Sequence, residues 1–207
     1  MDTDVTPRPR LPGGWTLVDA LLATLFLALM AAVVHSVVTT SLHVLGVRQA
    51  ADDLDETARI ALEIMARDIR DAGYGLVESA DRGLRVAGQT RIRLARDLDL
   101  DGETASSNEI VSYSLDDESG QLRRQLGNAA PQPMVESLDS GQVLFRYFDD
   151  RGMEVNAEDT DLENAQRAIV RQVEITLRLS SQNPAPGASG RIVVQHRTSV
   201  GLRNGQI

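Results

Sequence analysis

The sequence predicts an α+β protein: a long N-terminal helix, membrane-spanning in its first half, packed on a C-terminal domain of antiparallel β-sheet. Three observations predict it. An apolar run from Trp15 to Val38 follows a short polar leader. Beyond it Leu54, Ala58, Ala61, Leu62, Met65, Ile69 and Ala72 recur at steps of three and four, the mark of one apolar stripe on a helix. After Gly75 the period changes from helical to alternating, the mark of half-buried strands.

The leader, residues 1–14, holds Arg8 and Arg10 close to the apolar run, with Asp2 and Asp4 farther out. By the positive-inside rule it stays cytoplasmic while the C-terminal domain crosses the membrane. The apolar run is roughly 24 residues, or ~36 Å of helix at 1.5 Å per residue, enough to span a bilayer. Thr16, Thr24 and Ser36 fit within it because small hydroxyls can bond back to helix carbonyls. Asp19 is its one acid, and an ionisable group in such a run points to function. A secretory signal peptide is the competing reading, with Ala31, Ala32 or Ser36 at the cut. The helical pattern running well past that point, and the acid within the run, oppose it.

No proline interrupts residues 15–72, and Gly46 is the soft point. The face opposite the stripe carries Asp52, Asp53, Glu56, Arg59, Glu63 and Arg67. Gly73 and Gly75 stop the helix, giving a helix over 15–73 with a membrane anchor at about 15–38 and a β-rich domain over 74–207. Strands are expected at 91–94, 109–115, 121–126, 142–148, 169–179 and 192–202, the last two joined through the 183–187 loop as a hairpin. The segment 154–167 is polar and acidic, and reads as a loop or short helix. A sheet with one apolar face needs a cover, and the stripe supplies it.

Composition narrows the function. A net charge of -9 argues against a nucleic-acid partner, since neutralising phosphates needs a basic surface. With no cysteine, a disulfide framework, a Cys-ligated zinc and a thiol nucleophile are excluded. No nucleophile elbow, phosphate loop or distinguished carboxylate pair is present, so nothing argues for an enzyme. His35 and His43 lie eight apart, too far for an i, i+4 metal pair, and His196 shares the apolar face of its strand with Val194 and Val200. Asp97-Leu98-Asp99-Leu100-Asp101-Gly102-Glu103 looks like the start of a calcium loop, with alternating acids and a glycine sixth. Asp97, Asp99, Asp101 and Glu103 are its candidate ligands. The twelfth position of that pattern is Asn108, with Glu109 one later, and an acidic turn between strands is the simpler reading.

The run Pro12-Gly13-Gly14-Trp15-Thr16-Leu17-Val18-Asp19 resembles the type IV prepilin signal. There the residue after the cut is usually Phe and the fifth Glu; here they are Trp15 and Asp19, aromatic for aromatic and acid for acid. Met65-Ala66-Arg67-Asp68-Ile69-Arg70-Asp71-Ala72-Gly73-Tyr74 is similar to the helix end of PilW-like minor pilins and the J-type pseudopilins of type II secretion. The two segments cover about a third of the chain. The resemblance implies a type IV pilin-like fold, cleavage after Gly14 by a prepilin peptidase, and Trp15 as a new N-terminus open to N-methylation. It also implies that Asp19 pairs with the terminal amine of a neighbouring subunit during assembly. The implied protein is a single-pass inner-membrane precursor with its domain in the periplasm. It later joins other major and minor pilins or pseudopilins in a fibre. The expected function is that of a PilW-like minor pilin that helps prime or cap a type IV pilus; the alternatives are a J-type minor pseudopilin of a type II secretion system and a membrane-anchored calcium-dependent binding domain outside any fibre.

Overall fold

The computed structural model describes residues 16–76, 83–104, 108–139, 142, 144–155, 161–185 and 189–202. Helix α1 spans Leu17–Asp71. The chain divides into two compact units, Met1–Leu45 and Gly46–Ile207.

In the first unit the large apolar side chains of α1, from Leu17 to Leu45, are all exposed. It is the one described helix long and apolar enough to cross a membrane. The hydroxyls of Thr24, Thr40 and Ser41 donate back to the carbonyls of Leu21, Ser36 and Val37 at 2.8–2.9 Å, so these polar groups are satisfied without water.

In the second unit the predicted stripe is the buried face of the helix. Ala58, Met65 and Ile69 are fully buried, and Ala61, Leu62, Ala66 and Ala72 nearly so. The strands form two antiparallel sheets, where the sequence pattern suggests one. The first contains β1 (Leu84–Ala87), β2 (Arg91–Ala95), β3 (Ile110–Asp116), β4 (Gln121–Leu126) and β5 (Gln132–Val135) in sequential order. The second has β6 (Phe145–Phe148), β7 (Glu154–Val155), β8 (Gln172–Gln182) and β9 (Arg191–Gly201), ordered β7-β6-β8-β9. A six-residue helix, α2 (Asn164–Ile169), leads into β8, so the acidic segment 154–167, expected as a loop or short helix, holds the start of that helix and also the whole two-residue strand β7.

Backbone bonds join the sheets. Leu138 donates to Gly120 O at the β3–β4 turn, while Ser180 on β8 donates to Ser137 O. Leu144 and Phe145 donate to Gln89 O in the β1–β2 turn, and the buried Tyr147 hydroxyl donates to Gly88 O at 2.8 Å. The core comprises the helix stripe, Leu84, Ile92, Leu122 and Tyr113 from the first sheet, and Phe145, Tyr147, Ile175 and Leu177 from the second. Fully burying a side chain of this size contributes about 1.5–3 kcal/mol each.

Helix α1 ends where the glycines predict. Gly73 and Gly75 have φ of 77° and 75°, a left-handed geometry that costs other residues about 1–2 kcal/mol. Gly73 N donates to Ala95 O and Asp97 N donates to Tyr74 O, both at 2.8 Å, so the turn is stitched to the end of β2. A Cβ on Gly75 would collide with the Asp97 carbonyl oxygen and approach Asp97 Cβ at 2.8 Å. Gly75→Ala is therefore expected to destabilise the protein by at least about 2 kcal/mol, strain and clash together. Denaturant unfolding would measure it, and a loss within ~0.5 kcal/mol would show that the turn yields.

Candidate functional site

Four constellations of polar side chains stand out, one at the start of α1 and three in the second unit. At the helix start, Asp19 Oδ2 accepts from Thr16 N at 3.1 Å and from Thr16 Oγ1 at 2.7 Å. Asp19 N donates to Thr16 Oγ1 at 3.2 Å. The exchange is a reciprocal cap: Thr16 satisfies an orphan amide of the first turn, and Asp19, three residues on, satisfies the amide of Thr16. A carboxylate there also suits the positive end of the helix dipole. The signal lay in the spacing Thr-x-x-Asp, which the prepilin reading left unused. Gly14 and Trp15 lie outside the described residues, as does the whole leader.

The acidic segment forms the connection between β2 and β3. Asp97 is buried, its Oδ1 accepting from Leu100 N at 2.6 Å and its Oδ2 from Gly102 N at 2.9 Å. Leu100 and Gly102 both have positive φ, which folds the loop back over that carboxylate. Glu109, also buried, accepts from Leu98 N through Oε1 at 3.1 Å. Among the described residues, Asp97, Asp99 and Glu109 each offer a carboxylate oxygen within 4.8 Å of the others. Asp101 and Glu103 stand outside that group, and Asp101 Oδ1 accepts from Glu103 N at 2.8 Å. Of the four sequence candidates two therefore converge, joined by Glu109, one residue past the twelfth position. Asp99 is exposed, and partial desolvation in the loop, then repulsion from Asp101, raise its carboxyl above the usual carboxylate range. Oxygen-only donors of this kind suit a hard cation such as calcium.

The third constellation was not anticipated. Asp68 sits on the buried face of α1 and receives the Tyr113 hydroxyl at 2.5 Å and Arg124 Nη2 at 2.8 Å. Arg124 Nε also donates to the Tyr113 oxygen at 3.0 Å, and Arg96 Nη1 lies 3.4 Å from Asp68 and 3.5 Å from Asp71. Burial, and then the Asp68 charge, push the Tyr113 phenol far above its ordinary value, so it stays a donor. A sequence signal existed: Leu54, Ala58, Ala61, Met65, Asp68 and Ala72 are spaced four, three, four, three and four, and Asp68 takes a core position. At the second sheet, His196 Nε2 lies 2.6 Å from Asp55 Oδ1, with Arg59 at 3.0 Å from Oδ2. The Arg59 bond, then His196, hold the Asp55 carboxyl below its usual range. His196 faces the helix beside Val194 and Val200, as the alternation implied, and the contact ties α1 to β9.

Neither protein-family models nor curated proteins match this sequence. Among solved structures, the chain is similar to a type IV-like pilin from Thermus thermophilus, with a TM-score of 0.49 and 14% identity over 73% of this chain and 96% of that one.

Proposed function

We propose that this chain is a pilin-type subunit, anchored in a membrane by the first half of α1 and assembled through it into a fibre. One observation carries the reading. The first 18 residues of α1 are all exposed and apolar but for Asp19 in the first turn and the self-satisfied hydroxyl of Thr24, and the same helix continues into a stripe that forms part of the core of an antiparallel β domain. A helix that is apolar all round is solvated by lipid or by other such helices, and an acid kept near its end needs a cationic partner once buried. The terminal amine of a subunit cut after Gly14 is such a partner. Within that class our reading is a PilW-like minor pilin that primes or caps a type IV pilus, and the segment 65–74 is similar to the helix end of those pilins and of J-type pseudopilins alike. A J-type pseudopilin would use the same helix.

The test is the mature N-terminus. Mass spectrometry of the membrane-borne protein is expected to find a start at Trp15, N-methylated. Gly14→Val should leave full-length precursor, because the residue before the cut must enter a tight extended site. A start beyond Val34 in the parent, or normal maturation of Gly14→Val, would return the segment to a secretory signal.

A calcium-dependent role is the second reading, favoured by the convergence of Asp97, Asp99 and Glu109. Added Ca²⁺ is then expected to raise the Tm of the full chain in detergent, by mass action on the folded state. Asp99→Ala should remove the shift. A parent Tm indifferent to millimolar Ca²⁺ makes the segment an acidic turn alone.

A further inference from the structure

Natural sheets guard their edges, since an exposed strand offers unpaired amides and carbonyls to any extended chain. Three of the four edges described here are guarded. β1 has four residues, breaks register between Leu84 and Val86, and its Ala87 carbonyl accepts from Leu162 N. β5 has four residues and contains Pro133. β7 is two residues long. β9 differs from all of them. It is 11 residues long, pairs with β8 without a bulge from Gln172↔Gly201 to Gln182↔Arg191, and has no proline.

Its charge is as distinctive as its length. In a chain of net charge -9, β9 carries two arginines and no acid. Both arginines lie on the exposed face of the sheet, with Val193 and Gln195 between them, and both end a row of ion pairs. One row runs across four strands, from Glu154 on β7 to Arg146 on β6, then to Glu174 on β8 at 3.3 Å and Arg197 on β9 at 3.7 Å. The other joins Arg178 to Asp139 at 3.0 Å and Asp139 to Arg191 at 3.8 Å. These terminal contacts are long, and the side chains of Arg191 and Arg197 are more than half exposed. Each row alternates in sign and stops at a cation, so the next strand would continue it with an acid.

We infer that β9 is a strand-addition edge for an extended segment of another polypeptide, carrying two carboxylates six residues apart that face Arg191 and Arg197. Six residues correspond to ~20 Å of strand, so for a given strand direction both pairs form in one register. Main-chain bonds supply the affinity, and the two charges select the partner. A second copy of β9 is the wrong occupant. An antiparallel self-pair centred on Val194 sets Arg191 directly opposite Arg197, and one centred on Gln195 sets the same two diagonally. One centred on His196 sets the two copies of Arg197 diagonally across from each other. Like charges so placed are destabilising. The inference stands on the second unit alone and does not require the membrane or fibre reading.

The test uses the full chain in detergent micelles and two synthetic peptides of eleven residues, alternating Thr and Ser. One peptide has Glu at its third and ninth positions and the other has Arg there. Fluorescence anisotropy is expected to show the acidic peptide binding about tenfold or more tightly than the basic one, with slowed amide exchange confined to residues 191–201. Arg191→Glu together with Arg197→Glu, both exposed changes, should reverse that preference. Equal binding of the two peptides, protection elsewhere, or no binding at millimolar peptide would overturn the inference. So would concentration-dependent self-association of the parent that protects β9. Should the doubly substituted chain misfold, the contrast between the two peptides on the parent still decides.

Discussion

Asp68→Ala is expected to lower the stability of the Gly46–Ile207 unit by about 3–5 kcal/mol, the usual cost of breaking one side of a buried ion pair. The carboxylate is nearly inaccessible and holds both the Tyr113 hydroxyl and Arg124. Its removal leaves a cation and a phenol, both largely desolvated, facing an apolar helix. An unsatisfied buried donor costs about 1–3 kcal/mol and an unpaired charge more. Asp68→Asn should cost less, because its amide oxygen still accepts from Tyr113 and only the charge is lost. Asp68→Ala combined with Arg124→Met should recover part of the loss, since the orphaned cation goes too. Denaturant unfolding of the full chain in detergent, followed by the near-ultraviolet signal of the buried Tyr113 and Tyr147, reads all three. A loss below ~1 kcal/mol for Asp68→Ala would mean that water or a shifted side chain replaces the carboxylate.

The second large effect concerns Asp19, and the Thr16 cap decides which variant to make. Asp19→Ala would remove charge and cap together, and the cap alone is worth about 1 kcal/mol. Asp19→Asn separates them, because its amide oxygen can still accept from Thr16 N and Oγ1. On the pilin reading the Asn variant is expected to insert and to be cut after Gly14, since insertion is driven by the apolar run. Its recovery in sheared fibres should fall at least about tenfold, the ratio equivalent to ~1.4 kcal/mol of lost pairing. Asp19→Glu keeps the charge and lengthens its reach, and should assemble. Comparing membrane and fibre fractions for the two variants tests this. Full incorporation of Asp19→Asn would reduce the residue to a helix cap.

The parts of the fold legible in the sequence are those set by local period. The stripe from Ala58 to Ala72 and the alternation in β8 and β9 follow from which neighbours share a face, and the glycines at 73 and 75 mark the helix end through their own conformational freedom. β4 is found at its expected residues, 121–126. What local period leaves open is partnership. Whether Phe145 pairs with Ile175 or with a strand of the first sheet is a long-range choice, so two sheets looked like one. β5 was missed because Pro133 argues against a strand, and β7 because two residues carry no period. The sites divide in the same way. Asp97 and Asp99 were visible as an acidic run, while Glu109 enters their group from across the β2–β3 connection. Asp68 was hidden because a charged residue in a stripe counts as an interruption until Arg124 and Tyr113 are known to meet it.

The contact between Asp55 and His196 closes over 141 residues of chain. Ribosomes add about 5–20 residues per second, so Asp55 joins the growing chain roughly 7–28 s before His196 does. During that interval the stripe from Ala58 to Ala72 has no completed second sheet to cover it. The last of the described strands in chain order is also one that covers the helix. A chain released early, short of β9, would therefore keep a finished helix above an unfinished core, with the seam that His196 and Val200 close left open to solvent.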